Sequence, residues 1–131
     1  MEFNTYEEAR AHHEVKECVF CVHIIDHPES YEWVSANEVI IKYVGVGRCK
    51  RPGYPISNQS FQNQESFINL CQREFSVPVF RTKLNGKVHF MGRYSLKSYQ
   101  KLPSLEGFHY FEFTLLRFSH RYRELMLHIC I

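Results

Sequence analysis

The chain has 131 residues, 44% of them apolar and 15% aromatic, which fits one domain with a sizeable core and excludes disorder along its whole length. Sixteen basic residues stand against 14 acidic ones for a formal charge of +2, so a nucleic-acid site must come from local clustering rather than from a globally basic surface. No apolar run approaches the roughly 18 residues of a membrane span, the start MEFNTYEEARAHH is too polar for a secretory signal, and five irregularly spaced cysteines suit free thiols in a reducing compartment. The expectation is an intracellular protein without membrane contact, nuclear if the source is eukaryotic and cytoplasmic if it is prokaryotic.

Thr5 and Glu8 have the spacing of a capping box, in which each side chain satisfies the other's backbone N–H, and predict a short helix within residues 1–14. The run VKECVFCVHII (15 to 25), rich in β-branched and aromatic residues and closed by the turn chemistry of DHPES, predicts a strand buried on both faces. NEVIIKYVG (37 to 45) predicts a second strand, ended by Gly45 and Gly47. From Ser60 to Glu74, the apolar residues Phe61, Phe67, Ile68, Leu70 and Cys71 share one helical face and amides occupy the other. VPVFRTK leads to Asn85-Gly86, a dipeptide that accepts the positive φ angles of a hairpin turn, and KVHFMGRYSLKSYQ continues the chain beyond it. GFHYFEFTLLRF alternates aromatic and polar residues as a long strand does, and the pattern of the tail HRYRELMLHICI fits either a last strand or a docking helix. Without a repeat, linker or low-complexity segment, residues 1–131 read as one domain. Its class is α+β, a curved and mostly antiparallel sheet or barrel with two or three flanking helices.

Among candidate chemistries, Cys18-Val-Phe-Cys21 with His23 and His27 has the residue types of a zinc site. Residues three apart on a strand point to opposite faces and no second pair follows, so no metal or other cofactor is assigned. Glu14-Val-Lys16 has a nuclease-like spacing but lacks the preceding acidic residue, and a solvated strand edge explains it. The chain has no nucleophile elbow, phosphate-cradling loop or HExxH pair, so catalysis is not expected. Arg48, Lys50 and Arg51, interleaved with glycine and proline and followed by Tyr54, differ in kind. Such a stiffened loop offers guanidinium groups and backbone N–H groups to phosphate or guanine, although a solvated charged loop has the same composition.

Four motifs in order resemble the SRA domain (SET and RING associated, also called YDG), a PUA-like fold that reads modified cytosine in DNA by flipping the base out. They are Tyr31-Glu32 with Tyr43-Val44-Gly45; the basic loop followed by Asn58-Gln59, Phe61, Asn63 and Phe67-Ile68; Val77-Pro78-Val79-Phe80-Arg81 with Phe90-Met91-Gly92-Arg93-Tyr94; and Gly107-Phe108 through Leu115, Leu116 and Arg117. The resemblance covers residues 15 to 118 and leaves 119–131 as a tail. It departs at Val34, where the family carries the aspartate that bonds the Watson–Crick edge of the flipped cytosine, and at Met91, where the family has the Asp of its naming turn.

The resemblance implies a binding module for double-stranded DNA that recognises 5-methyl- or 5-hydroxymethylcytosine without catalysis of its own, free-standing or as the targeting domain of a larger nuclease or chromatin protein. Tyr31 and Tyr43 would stack on the base, although tyrosines near strands also serve as packing residues. Val44 or Gly45 would sense the modification, and Glu32 and Ser35 are the nearest substitutes for the aspartate missing at Val34. Arg48, Lys50, Arg51 and Tyr54 would enter a groove. Asn58 and Gln59 would fix the loop or touch DNA, while Arg81, Arg93 and Arg117 are phosphate candidates or solvated strand ends. An RNA-binding PUA-like domain and a protein-interaction module that self-associates through the apolar tail are the alternatives.

Overall fold

The computed structural model describes residues 1–13, 21–73 and 76–118, without the side chains at 70–73. The expectations for Glu14 to Lys16, Cys18, the first part of the 15–25 strand and the 119–131 tail lie outside the described residues.

The clearest alternation in the sequence organises the sheet. In β9 (His109–Arg117) Phe111, Phe113 and Leu115 are buried at every second position, as expected of a strand with one face on a core. It runs antiparallel between β4 (Ile40–Val44) and the second half of β8 (Val88–Pro103). The first half of β8 pairs instead with β7 (Val77–Thr82). One 16-residue strand thus serves two neighbours in turn, and register shifts at Val79/Phe80 and Leu96/Ser98 add the local bend and twist of bulges. The sheet curls into a half-barrel.

Its edges are β2 (Val22–Ile25), parallel to β7, and β3 (Trp33–Val34), antiparallel to β4, while the two-residue β1 (Glu2–Phe3) joins β8 at Val88 and His89. The parallel β2–β7 pair makes this a mixed sheet, within the α+β, PUA-like class expected. Strand β4 begins at Ile40 rather than at Asn37, because Ser35 organises the preceding turn: its Oγ accepts the N–H groups of Val39 and Ile40 at 3.1 and 3.0 Å. The Asn85-Gly86 turn forms as expected, with Gly86 at φ 84° and the Lys83 N–H bonded to the Lys87 carbonyl at 2.8 Å.

Two helices flank the sheet. In α1 (Tyr6–His12) the Thr5 hydroxyl accepts the Glu8 N–H at 3.1 Å, whereas the Glu8 carboxylate takes the N–H of Asn4 at 3.2 Å, one residue before the reciprocal partner expected. Helix α2 (Phe61–Arg73) starts at Ser60, whose Oγ accepts the Asn63 N–H, and presses Phe67 onto Phe113 with ring centroids 4.5 Å apart. Phe67 and Ile68 complete a core with Ile24, Ile41, Val79, Tyr94 and Leu115, each such apolar side chain contributing roughly 1.5–3 kcal/mol. Among the described residues no helix is long and apolar enough to cross a membrane.

Candidate functional site

Residues 49–55, expected as an irregular loop, form a hairpin of β5 (Cys49–Arg51) and β6 (Tyr54–Pro55). Pro52 and Gly53 occupy its turn, and Gly53 has φ 77°, the angle that the third residue of a proline-led type II turn requires. A side chain at Gly53 would also strike Ser30 Oγ and the Glu32 side chain. The missing side chain lets the turn lie directly on residues 30–32. Its carbonyl accepts the Tyr31 N–H at 2.6 Å and the Ser30 hydroxyl at 3.3 Å.

The other end of this segment is held by amides. Gln59 donates to the Gly45 carbonyl at 2.7 Å and accepts the Phe111 N–H at 2.8 Å, and Gln64 closes both backbone groups of Val46 at 2.6 and 2.7 Å. Both glutamines are buried, and Gly45 is a glycine because a Cβ would lie 2.3 Å from Gln64 Oε1. The Asn58 side chain accepts the His109 N–H at 2.7 Å. The amide-rich stretch therefore pins the hairpin between β9 and α2.

Beneath the hairpin lies a cavity of about 270 Å³, lined by Ile24, Ile25, Asp26, His27, Pro28, Ser30, Glu32, Trp33, Val34, Arg81 and Leu84. That is close to the lower end of the roughly 300–1,000 Å³ usual for small-ligand sites. Asp26 at the end of β2 and Arg81 on the parallel neighbour β7 are paired on one wall, with Arg81 Nε donating to both carboxylate oxygens at 2.9 and 3.1 Å. Glu32 is the unusual member. Its Oε2 is buried without a hydrogen-bond partner, and burial together with the Asp26 charge pushes the carboxyl up to about 8, against a backbone hydrogen bond from Ile25 that acts the other way. At neutral pH this side chain is mostly the neutral acid, with one O–H to donate and one oxygen to accept.

The structure separates the two tyrosines paired in the sequence reading. Tyr31 lies on the outside, its ring 5.1 Å from both Tyr54 and Tyr110 and its hydroxyl donating to Glu106 at 2.5 Å. With Pro103, Ser104, Leu105 and Tyr110 it lines a second hollow of about 270 Å³. Tyr43 packs on Phe67, ring planes 15° apart, against the main core; burial and then the Glu32 charge raise its hydroxyl's pKa. Neither ring lines the Glu32 cavity. Val34 does, whereas Ser35 is committed to its turn, Val44 is in the core and Gly45 is under the amides.

The cations divide similarly. Arg48 and Lys50 are exposed, Lys50 and Arg51 lie 5.9 and 5.0 Å from the Tyr54 ring, and Arg51 is ion-paired with Glu29. Arg93 donates to the hydroxyl and carbonyl of Ser76, both at 2.7 Å, and Arg117 to the Met91 carbonyl at 2.8 Å. Arg48 and Lys50 are thus exposed beside and on the hairpin, whereas Arg81, Arg93 and Arg117 of the sheet are held by protein partners. Sequence reasoning missed Glu106, which accepts from both Tyr31 and Tyr54, the latter at 3.0 Å. Those two hydrogen bonds hold its carboxyl below the usual range. Among the described residues no group of three histidine, cysteine or acidic side chains could hold a metal.

The half-barrel is an SRA-like fold. No protein-family model and no curated protein matches the chain, but solved SRA structures do. It is similar to the SRA domain of SUVH5 bound to fully hydroxymethylated CG DNA (TM-score 0.57, 20% identity, covering 74% of this chain and 64% of that one). It is also similar to KRYPTONITE in complex with mCHG DNA and SAH (TM-score 0.58, 16%, 88% and 27%) and to the modification-dependent TagI restriction endonuclease (0.60, 13%, 78% and 40%). The chain spans less than two thirds of the length of each of these structures.

Proposed function

We propose that the chain is a DNA-binding module without catalysis of its own that recognises a modified cytosine extruded from the duplex into the Glu32 cavity. A base cannot be read all round while stacked, and extruding it costs a few kcal/mol that pocket and backbone contacts must offset. The observation that carries the proposal is the juxtaposition, on an SRA-like fold, of a base-sized cavity lined by an acid with one unpaired oxygen and a hairpin that carries Lys50 and Arg51 and is preceded by Arg48. The SRA structures to which the fold is similar are complexes with methylated and hydroxymethylated DNA, which favours the same ligand class. In this arrangement the hairpin cations grip phosphates or fill the space left by the flipped base, and Tyr54 stiffens them.

The test is fluorescence anisotropy at fixed salt with matched duplexes carrying cytosine, 5-methylcytosine or 5-hydroxymethylcytosine, and duplex RNA as competitor. The expected result is a preference of at least tenfold, about 1.4 kcal/mol, for one modified duplex. Equal weak binding to all three, or displacement by RNA at equal concentration, would overturn the proposal.

A further inference from the structure

We propose that the hollow between Tyr31 and Tyr110 holds the trimethylammonium head of a methylated lysine side chain presented by a peptide. The hollow is separate from the Glu32 cavity, and the inference does not depend on the DNA-binding function proposed above. Its lining, Tyr31, Pro103, Ser104, Leu105 and Tyr110, is mostly aromatic and apolar. The two rings have centroids 5.1 Å apart and planes inclined by 55°, which opens a wedge rather than a closed stack, and Tyr54 braces the Tyr31 ring, also at 5.1 Å. Leu105 is fully exposed in the turn between β8 and β9, so the wedge stays open to solvent on that side. A long side-chain stem enters such a wedge from a peptide lying across the turn.

Charge decides what the wedge takes. The face of an aromatic ring is the negative part of its quadrupole and attracts cations. The Tyr31 hydroxyl donates to Glu106 at 2.5 Å, and sharing that proton with a carboxylate leaves the ring richer in electrons. Glu106 adds its own negative charge beside the wedge. The chain already uses this chemistry one ring away, where Lys50 and Arg51 lie over Tyr54 at 5.9 and 5.0 Å. Among the described residues no cation lies over Tyr31 or Tyr110. The same lining selects between cations. The Tyr31 hydroxyl is committed to Glu106 and the Ser104 Oγ accepts the Phe108 N–H at 3.4 Å, so the three N–H donors of an unmodified lysine find few acceptors and its strongly hydrated ammonium is costly to desolvate there. A trimethylammonium has no N–H to satisfy and lays methyl groups against the rings. A phosphate meets repulsion from Glu106, which disfavours the nucleic-acid backbone on this side.

The experiment is an anisotropy titration of the intact chain against a short fluorescein-labelled peptide of glycine and alanine around one trimethyllysine. The controls are the same peptide with unmodified lysine and with the uncharged isostere in which carbon replaces the charged nitrogen. The trimethyllysine peptide should bind roughly tenfold more tightly than either control. Tyr110→Phe should keep that binding and Tyr110→Ala should lose it. Glu106→Gln, which removes only a surface charge, should weaken it about threefold. In proton NMR the N-methyl signal of the peptide should move upfield under the ring currents of the intact chain. Equal binding of the uncharged isostere would reduce the wedge to an apolar hollow without preference for a cation and overturn the proposal, as would equal binding of the unmodified peptide or no binding at all. Choline chloride held more tightly than the trimethyllysine peptide would overturn the peptide as the source of the cation.

Discussion

Two buried polar sites lie on either side of the hairpin and have been treated in opposite ways. Around Gln59 and Gln64 both amides are matched to backbone groups of Gly45, Val46 and Phe111. Around Glu32 one carboxylate oxygen has nothing. The first arrangement is what a structural polar group needs, because burial without partners is penalised. The second leaves that penalty uncompensated by the protein, next to a cavity.

The comparison is broken most severely at the amides. Gln64→Ala would leave the Val46 N–H and carbonyl unpaired and open a void, and we expect a loss of about 2–4 kcal/mol, measured by urea unfolding. The same measurement sharpens the contrast at Glu32. A carboxyl whose folded-state pKa is raised to about 8 favours the folded chain only while protonated. Stability should therefore be greatest below the ordinary carboxylate range, fall as pH rises toward 8, and level off above it, at about 1.4 kcal/mol per unit of displacement. Glu32→Gln should remove that slope and unfold at higher denaturant than the parent at pH 9. A parent chain whose stability rises from pH 5 to pH 8 would contradict the burial assigned to this group.

Smaller effects are expected at the hairpin itself. Gly53→Ala meets Ser30 and Glu32 in a positive-φ position and should cost roughly 1–2 kcal/mol, with the Tyr31 amide gaining faster hydrogen exchange as the Gly53 bond opens. Replacing Lys50 and Arg51 by alanine should leave folding nearly unchanged and flatten the plot of log affinity against log salt, by about 0.9 for each phosphate that is no longer neutralised. Least of all, Glu106→Gln should leave the melting temperature where it is, because its two hydrogen bonds to the tyrosine hydroxyls lie at the solvent-exposed surface.

Features set by short stretches were legible in the sequence: the alternation of β9, the Asn85-Gly86 turn, the helix starts at Thr5 and Ser60, and the SRA-like order of motifs. The features that failed to show depend on partners far apart in the chain. The Asp26–Arg81 pair left no local signal because its two residues lie 55 positions apart across a parallel pair of strands. Tyr31 and Tyr43 looked equivalent, yet Glu106, 75 residues beyond Tyr31, draws one ring outward while Phe67 holds the other in the core. The β5–β6 hairpin was hidden because two- and three-residue strands carry no periodicity. Only its Pro52-Gly53 turn gave a local signal, and that was absorbed into a loop.

The bond from the Gly53 carbonyl to the Tyr31 amide, with Glu32 packed under the same turn, makes the cationic hairpin and the cavity parts of one mechanical unit. Thermodynamic reciprocity then applies: however much engagement of the hairpin alters the cavity's affinity for its occupant, filling the cavity alters the hairpin's grip by the same factor. A duplex that offers phosphates but no acceptable base would be held by half of a coupled device and leave sooner. Under the proposed function, discrimination would be shared between hairpin and cavity rather than resting on the fit of the pocket alone.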